Sequence, residues 1–491
     1  MTATTPDATP APDNSAHFGK GGAFQKTGFA WAVFEWARNP YYILVVIYIF
    51  APYFARDVIG ADILASGELD GLSPEEAKQT ANAGGQAAIA SVTKWAGFAG
   101  ALTAPFLGAA LDRGGRRKPL LAIFLGLIAL MSWLLWYAIP GEAGLPTATV
   151  MTVMVIAYVC YTYSEVTHNA MLSVSGEQKS LPMISGLGLG LGNLAATLIF
   201  AALVCAFALP AAIQWPIEAP MFGLDISAHE HLRIVGPICA VWLVIFSVPF
   251  FLYAEDGGTK GASWIKAFSD GAKGVFKTVS EATQYKQAFK FLIARMLYAD
   301  AMAALLALGA VYVALLLEWT FLELTAYAIF ASAWAFLGGL FGGWLDTKVG
   351  PKRALIIEIV GMVSMLAFQL SITQESLFFG AVENYQVWDG LIFQSLSDLV
   401  YLSSISVVAV TATASISSSR SMLVHLAPPG RSGEFFGLYA IAGTVTVWAG
   451  PLLVEIFTTE FNSQRIGMAS ISMLFLAGLA VLTTVKMEKD A

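Results

Sequence analysis

The segment "GFAWAVFEWARNPYYILVVIYIFAPYF", Gly28 to Phe54, is apolar enough to cross a membrane, yet Glu35 and Arg38 lie inside it. A charged side chain at the centre of a bilayer costs about 2.5–3.5 kcal/mol even on insertion scales. The two residues are three apart, so they share one face of a helix. We therefore expect that face to point into a helical bundle rather than toward lipid.

The composition indicates that the rest of the chain also belongs in a bilayer. Of its 491 residues, 57% are hydrophobic and 12% are charged. Soluble domains are usually about 45–50% apolar and about 25% charged. A spanning helix needs roughly 20 mostly apolar residues. We expect an all-α polytopic membrane protein with twelve spans, at 28–55, 86–111, 118–139, 147–172, 183–210, 234–254, 288–316, 323–345, 353–373, 398–424, 434–458 and 464–485.

The twelve spans divide into two pseudo-symmetric groups of six, separated by a polar stretch. Apolar residues of that stretch, among them Trp264 and Phe268, recur at helical spacing with lysines between them, which predicts an amphipathic helix at the membrane surface. The first residues are rich in Ala, Pro and Thr and lack the apolar core of a signal peptide, so we expect a disordered tail. The expected divisions are a tail 1–27, a six-helix bundle 28–254, a linker 255–287, a second six-helix bundle 288–485 and a tail 486–491.

The Lys and Arg residues outside the spans are distributed unequally across the bilayer. Most lie on the side that holds both chain ends, and the opposite side keeps only Arg56, Lys78, Arg233 and Arg465. Because an excess of Lys and Arg marks cytoplasmic loops, we expect both termini in the cytoplasm.

Two loops repeat one pattern at matching places in the two halves. The first reads "GAALDRGGRRK" from Gly108, and the second reads "GGWLDTKVGPKR" from Gly342. The glycine lets two helices approach closely, and an aspartate at a helix end can bind a neighbouring helix N-terminus or an arginine. Such a contact can form in one conformation and break in another; a basic turn without a gating role is the alternative. The candidate gating residues are Gly108, Asp112, Arg113, Gly115 and Arg116 in the first copy and Gly342, Asp346, Gly350, Lys352 and Arg353 in the second.

The repeated loop and the two six-helix halves resemble the major facilitator superfamily. Within it, four segments are similar to the vacuole-effluxer family, which includes fungal vacuolar amino-acid effluxers and bacterial relatives. The segments are "FEWARNPYY" at 34–42, "THNAMLSVSGEQKSLPMISGLGLGLGNL" at 167–194, "FLIARMLYADAMAAL" at 291–305 and "SSSRSMLVHLAPPGRSGEFFGLYAIAG" at 417–443. The chain departs from the family where Glu35 replaces a usual Asp, at Arg38, and at Thr444, where a basic residue is common.

The resemblance implies a secondary transporter with the major facilitator fold that works by alternating access. It implies export of amino-acid-like solutes, with a proton as the candidate coupling ion, through the inner (cell) membrane of a bacterium. We expect a monomer whose partners are the small-molecule substrate, protons and the lipid bilayer. Two alternatives stay open: an uptake permease for a sugar, peptide or cell-wall fragment, and a non-transporting membrane receptor or scaffold on the same fold.

Polar side chains inside the expected spans are the candidate solute and proton site, because such residues are expensive in a bilayer and mark transport pathways. The first helix of each half lines the central cavity in this superfamily, and each here carries an acid and a base. Pro40 is expected to interrupt the hydrogen-bond ladder of the first span and to free carbonyl groups. A carboxylate whose Arg partner moves could bind and release a proton, whereas a buried ion pair that only fixes helix packing is the alternative. The candidates are Glu35, Arg38 and Asn39, then Glu165, His168 and Asn169, then Arg295, Tyr298 and Asp300.

Two further ionisable residues within the spans are expected to serve only membrane anchoring or local pairing. Lys94 lies near the end of the second span and is expected to extend to the membrane surface. Glu358 is expected to lie at the lipid rim and to pair with Lys352 or Arg353, one to two helical turns away.

Glycines and hydroxyl side chains in the spans are expected mainly to pack. In "SGLGLGLGN", Gly186 with Gly190 and Gly188 with Gly192 form two GxxxG pairs, which predict close contact with another helix. The Ser and Thr residues between 411 and 419 favour hydrogen bonds between helices, with contact to substrate as the alternative.

Several classes of chemistry lack their motifs in this sequence. There is no G-x-x-x-x-G-K-[ST] loop for direct use of ATP and no HExxH sequence. The Glu165–His168 spacing would need a second such pair to bind metal, and Cys160, Cys205 and Cys239 have no CxxC spacing. We therefore expect no enzyme, no metal or other cofactor, and no nucleic-acid partner.

Overall fold

The computed structural model describes residues 19–111, 116–177, 180–257, 284–426 and 438–487, the last range without 440, 441 and 444. These residues are nearly all helical. The twelve main helices are α1 (Lys26–Pro40), α2 (Pro74–Leu111), α3 (Arg117–Leu134), α4 (Thr147–Ala170), α5 (Leu181–Leu203), α6 (Val235–Tyr253), α7 (Lys286–Leu316), α8 (Phe321–Val349), α9 (Pro351–Leu370), α10 (Leu396–Leu426), α11 (Ala449–Phe461) and α12 (Gln464–Thr483).

Short elements join the main helices. Single α-turns lie at Phe50–Tyr53, Ala61–Ala65, Leu209–Ile213 and Glu230–Arg233, and 3₁₀ turns at Leu135–Tyr137, Gly141–Ala143, Leu172–Val174 and Met221–Gly223. After α9, strand β1 (Ser376–Leu377) pairs antiparallel with strand β2 (Val382–Glu383). The linker predicted to hold an amphipathic helix lies largely outside the described residues.

Ten helical segments of the described chain are long and apolar enough to cross a membrane. The expected second and eleventh spans are not among the ten. The second, α2, is a 38-residue helix, and the eleventh, α11, is a 13-residue helix preceded by several positions outside the described ranges. Both pack within the same bundle as the other ten, and the expected all-α membrane fold is confirmed.

The first span changes its helical geometry where Pro40 ends α1. The chain continues as π-helix over Tyr41–Tyr48 and again over Phe54–Gly60. Proline has no backbone N–H to donate to the preceding turn, and π-helical turns inside α-helices are frequent at functional sites. The expected interruption at Pro40 is therefore a widening of the helix.

Helix pairing repeats between the two halves of the bundle. In the N-terminal half, α1 packs on α5 and α6, α2 packs on α4, and α3 packs on α4 and α6. In the C-terminal half, α7 packs on α12, α8 packs on α10, and α9 packs on α10 and α12. The first, second and third helices of each half thus take equivalent partners.

The two halves join near one end of the bundle. We call the end that holds residues 19–25 and 484–487 the terminal end, and the opposite end, which holds the loop 66–73, the distal end. At the distal end, Arg56 Nη1 donates to the Trp319 carbonyl at 3.0 Å, and Asn82 Nδ2 donates to the Leu315 carbonyl at 3.1 Å. These bonds attach the end of the first span and the start of α2 to the α7–α8 turn.

A seam between α2 and α11 continues this contact into the bundle. Gln86 Nε2 donates to Thr458 Oγ1 at 3.1 Å, and deeper along the seam Lys94 Nζ lies 2.5 Å from Glu455 Oε2. The expectation that Lys94 extends to the membrane surface is wrong, because an acidic partner from the other half lies within its reach. The seam therefore holds an ion pair between the halves.

Candidate functional site

The N-terminal half contains a buried cluster of charged side chains between α1 and α4. Arg38 Nη2 donates to both carboxylate oxygens of Glu35, at 3.0 and 2.9 Å. His168 Nδ1 lies 3.3 Å from Glu35 Oε1, and the His168 side chain has no solvent exposure. The i, i+3 spacing that predicted a shared face thus brings Glu35 and Arg38 into direct contact. His168, which lies on α4, is the third member of the cluster.

A reciprocal pair of hydrogen bonds fixes the position of His168. Its Nε2 lies 3.0 Å from the Trp31 carbonyl, and Trp31 Nε1 donates to the His168 carbonyl at 3.0 Å. The two rings stack at a centroid distance of 3.9 Å and an angle of 15°. A carbonyl oxygen can only accept, so Nε2 carries a proton and Nδ1 faces the Glu35 carboxylate.

Glu165 gives this cluster an accessible edge. Its side chain is 50% exposed and its Oε2 lies 3.6 Å from Arg38 Nη1, whereas the Arg38 side chain is only 5% exposed. The Arg38 guanidinium also lies over the Tyr161 ring, 4.3 Å from the centroid. Since Arg38 Nε and Nη1 have no hydrogen-bond partner within the described chain, two donor groups of the guanidinium are unused.

Asparagines and glycines line the side of the cluster that faces α5. Asn39 Nδ2 lies 3.4 Å from Asn193 Oδ1, and both Asn193 and Asn169 are exposed. A Cβ added at Gly192 would lie 3.3 Å from Glu35 Cβ, so a glycine there lets α5 approach α1 closely.

The expected glycine packing holds for one of the two GxxxG pairs. Gly188 and Gly192 meet α1, where an added Cβ at Gly188 would lie 3.2 Å from Trp31 Cζ3. A Cβ at Gly190 would meet nothing within 4 Å, because its position two residues away turns it to another face of α5. The surroundings of Gly186 lie outside the described residues.

In the C-terminal half the acid and the base of α7 do not pair. Arg295 Nη1 donates to the Tyr439 carbonyl at 2.8 Å, and its guanidinium lies 3.4 Å from the centroid of the Tyr439 ring. Asp300 is 4% exposed, and its Oδ2 accepts a hydrogen bond from the Gly450 N–H at 3.2 Å. The structure therefore places these two candidates in separate contacts with uncharged parts of the start of the eleventh span.

Tyr298 belongs to a buried group of hydroxyls between α7, α10 and the eleventh span. Its hydroxyl lies 2.8 Å from Ser419 Oγ, and the Tyr439 hydroxyl lies 2.9 Å from the same oxygen. The hydroxyl-rich tenth span predicted such bonds between helices. Neither Tyr439 nor Glu455 was singled out from the sequence, although a glutamate within the eleventh span is by itself a signal of a buried partner.

Glu358 is not at the lipid rim, and that expectation is wrong. The residue is fully buried, and its Oε1 accepts a hydrogen bond from Ser418 Oγ at 2.8 Å. The reason is the packing of α9, which contacts both α10 and α12 and so has an interior face. The distance in sequence to Lys352 or Arg353 carried no information about that face.

The candidate gating residues are only partly described. Asp112, Arg113 and Gly115 lie outside the described residues, as do the surroundings of Gly108, and Arg116 is exposed just before α3. In the second copy, a Cβ at Gly342 would lie 2.8 Å from the Ala414 Cα, so this glycine does permit a close approach of α8 to α10.

The second gating loop turns sharply between α8 and α9. Gly350 has φ +82°, and its N–H caps α8 by donating to the Asp346 carbonyl at 3.0 Å. Asp346 Oδ1 has no hydrogen-bond partner within the described part of the chain, Lys352 is half-buried, and Arg353 is exposed. The gating role of this loop stays a prediction.

Comparison with known proteins places the chain in one family. A profile of the family described as "Vacuole effluxer Atg22 like" matches residues 25–491. The uncharacterized MFS-type transporter YxiO of Bacillus subtilis is 24% identical over 476 residues, which cover 95% of this chain and 96% of that protein. Autophagy-related protein 22-1 of Aspergillus clavatus is 25% identical over 340 residues, and this chain matches about half, 51%, of its length.

Solved structures with the same fold are transporters. A D-xylose-proton symporter superposes with a TM-score of 0.57 at 12% identity, covering 94% of this chain and 99% of that one. The nucleoside transporter NupG superposes with a TM-score of 0.54 at 13% identity, with coverage of 94% and 99%. At this level of identity the likeness shows the fold alone.

Proposed function

The chain belongs to the vacuole effluxer Atg22-like family of major facilitator transporters, and from this premise we propose that it moves amino-acid-like solutes by alternating access. The observation that carries the proposal is the cluster of Glu35, Arg38, Glu165 and His168, which combines buried charge with one accessible edge. A transporter needs such a site because a polar solute must exchange its hydration for fixed protein groups near the middle of the membrane.

The two signs of charge at that edge suit a zwitterion. The half-exposed Glu165 carboxylate can pair with a solute ammonium group. The Nε and Nη1 groups of Arg38 have no hydrogen-bond partner within the described chain, and they can donate to a solute carboxylate once the guanidinium turns toward the accessible edge. Asn39 and Asn193 supply neutral donors and acceptors beside these groups, and Asn169 is exposed one turn after Glu165 on α4. An uncharged sugar would leave the charges of Glu165 and Arg38 without new partners, which favours the amino-acid class.

A proton can balance the charge when solute binds. When Arg38 turns toward a solute carboxylate, it gives up part of its contact with Glu35. The buried Glu35 carboxylate is then less compensated, which favours uptake of a proton. The neighbouring His168 Nδ1 offers a second place for that proton, since its other ring nitrogen already donates to Trp31. Solute binding at Arg38 and proton binding at Glu35 would thereby be linked.

The distal seam supports an assignment of the conformation. The excess of Lys and Arg on the terminal side predicts that this side is cytoplasmic, with both chain ends there. The distal end, where Arg56 and Asn82 bind the other half, would then face away from the cytoplasm. The structure would thus represent an inward-facing state of a protein in the bacterial inner (cell) membrane, and the relative from Bacillus subtilis favours a bacterial cell membrane.

The test is solute exchange in liposomes that contain the purified protein. Vesicles loaded with an unlabelled amino acid should accumulate the same labelled amino acid from outside. The Arg38→Gln variant should lose this exchange, and Arg420→Gln, which changes an exposed arginine of α10 away from the cluster, should retain it. Exchange of sugars, nucleosides or peptides but of no amino acid would overturn the substrate class, and exchange of no solute would overturn transport.

Proton linkage is tested with the Glu35→Gln variant in the same vesicles. We expect it to fold and to exchange solute, but to lose accumulation driven by an imposed pH gradient, because the glutamine amide neither gains nor loses a proton. Thermal unfolding in detergent checks the folding. Unchanged gradient-driven accumulation in Glu35→Gln would remove Glu35 from the coupling step.

A further inference from the structure

Asp300 occupies a site that differs in kind from the charged cluster of the N-terminal half. The residue is 4% exposed, and its carboxyl group accepts one hydrogen bond, from the Gly450 N–H to Oδ2. Its Oδ1 has no hydrogen-bond partner within the described residues.

Arg295 and Lys94, two positive side chains on the helices around Asp300, are engaged elsewhere. Asp300 lies on α7, which packs against α2, α10, α11, α12 and the end of the first span. Arg295 donates to Tyr439, and Lys94 pairs with Glu455. The titratable groups on these elements include Arg295, Tyr298 and Tyr312 on α7, Lys94 on α2, Arg420 on α10, Tyr439 and Glu455 in the eleventh span, Arg465 on α12, and Tyr41, Tyr42 and Tyr48 after α1. Within the described chain, none of them forms an ion pair or a hydrogen bond with Asp300.

The backbone bond from Gly450 does not replace a counter-charge. Gly450 lies in the first turn of α11, and a helix N-terminus carries about half of an elementary positive charge. An ionised carboxylate that is buried and unpaired instead takes up a proton and becomes neutral. We propose that Asp300 is a protonated carboxylic acid in this conformation and that it is a proton-binding site of the C-terminal half, separate from Glu35.

The same contact ties the proton to the seam between the halves. Gly450 packs so closely on α7 that an added Cβ would lie 2.6 Å from Ala304 Cβ. Two residues earlier, Trp448 approaches α2, where a Cβ at Gly97 would lie 3.1 Å from the Trp448 N. Separation of α2 from α7 and α11 would therefore uncover this part of the seam and admit water to the Asp300 carboxyl group. Water that reaches the carboxyl group can take the proton from Asp300. This release step rests on the proposed function, whereas the presence of the proton on Asp300 in this conformation does not.

Infrared spectroscopy of the purified protein tests the occupancy directly. With aspartate labelled by carbon-13 in its side-chain carboxyl, we expect at pH 7 a protonated-carboxyl stretch that shifts in D₂O and disappears in Asp300→Asn. It should persist in Glu358→Gln, a matched variant at another buried carboxyl group of this half. Loss of ionised-carboxylate intensity in Asp300→Asn, or absence of the labelled protonated band from the wild type, would overturn the proposal. The wild-type spectrum decides even if the variant fails to fold.

Transport measurements separate this proposal from the function on which its release step rests. In vesicles, Asp300→Asn should retain solute exchange and lose at least about tenfold of the accumulation driven by a pH gradient, which corresponds to 1.4 kcal/mol of coupling free energy. Suppose that the wild type shows the infrared band of Asp300 but that Asp300→Asn accumulates solute as well as the wild type. The proton on Asp300 would then not be released during transport, and the release step would be wrong. If the wild type exchanges no solute, the proposed function fails while the infrared result still stands.

Discussion

The N-terminal and C-terminal halves treat their buried ionisable groups in opposite ways. In the first half, Glu35 is compensated by Arg38 at 2.9 Å and lies 3.3 Å from His168. In the second half, Arg295 and Asp300 each contact uncharged groups of the eleventh span. Yet the helix pairing of the two halves repeats. The internal repeat therefore specifies helix packing and leaves the buried charges free to differ between the halves.

The largest expected difference between the halves is in what an arginine contributes to stability. Arg38→Gln removes the buried partner of Glu35, and breaking a buried ion pair costs about 3–5 kcal/mol. Arg295→Gln removes one hydrogen bond and a contact with the Tyr439 ring, which we expect to cost about 1–2 kcal/mol. Unfolding free energies in detergent measure both changes.

The comparison between the two arginines has a clear point of failure. Equal losses in the two variants, or a larger loss in Arg295→Gln, would mean that Arg295 compensates a charge and that the halves are alike. Arg420→Gln serves as the control because its side chain is exposed.

A second, smaller difference concerns the glycines that hold α5 against the charged cluster. An added methyl at Gly192 would lie 3.1 Å from Asn39 Cβ and 3.3 Å from Glu35 Cβ, whereas one at Gly190 would meet nothing. We expect Gly192→Ala to lose about 1–3 kcal/mol of unfolding free energy by overpacking. Gly190→Ala should be neutral or gain up to about 1 kcal/mol from helix propensity. Thermal unfolding of the two variants side by side measures this, and a costly Gly190→Ala would show that α5 has the opposite rotation.

The sequence predicts the fold well, and it also predicts well which side chains of a single helix contact each other. The length and apolarity of the segments and the repeated loops at Asp112 and Asp346 indicate the two six-helix halves before any coordinates. The contact between Glu35 and Arg38 follows from their spacing, because the geometry of a single helix determines it. Such inferences need no knowledge of where a neighbouring helix lies.

Contacts between helices are less accessible to sequence reasoning. Glu358 lies within two turns of Lys352 and Arg353, yet the rotation of α9 buries it beside Ser418. The partner of Lys94 is Glu455, far away in the chain, and the pair depends on how the two halves meet. Hydropathy is nearly uniform around membrane helices, so it does not reveal which face is interior.

The smallest expected effect is at the surface of the distal end, where Lys78 pairs with Glu318 across the halves. Partial burial raises the pKa of the Glu318 carboxyl, but hydrogen bonds from Lys78 and Gln374 and the nearby positive charges outweigh burial, and the pKa lies below its ordinary value. The stabilisation is therefore fully present above the ordinary pKa, about 4.3, and is lost as the pH falls through the lower value in the folded protein.

This surface pair sharpens the contrast with Arg38, because the same charges in water should contribute far less. The Lys78 and Glu318 side chains are 45% and 43% exposed, and exposed pairs contribute about 0.2–1 kcal/mol. Glu318→Gln should lower the unfolding free energy by that amount at pH 7 and by nothing once Glu318 is protonated, and added salt should reduce the difference at pH 7. Unfolding of the two proteins across this pH range measures the difference. A loss comparable to that of Arg38→Gln would mean that the distal contact, rather than the buried cluster, is the main electrostatic link in the protein.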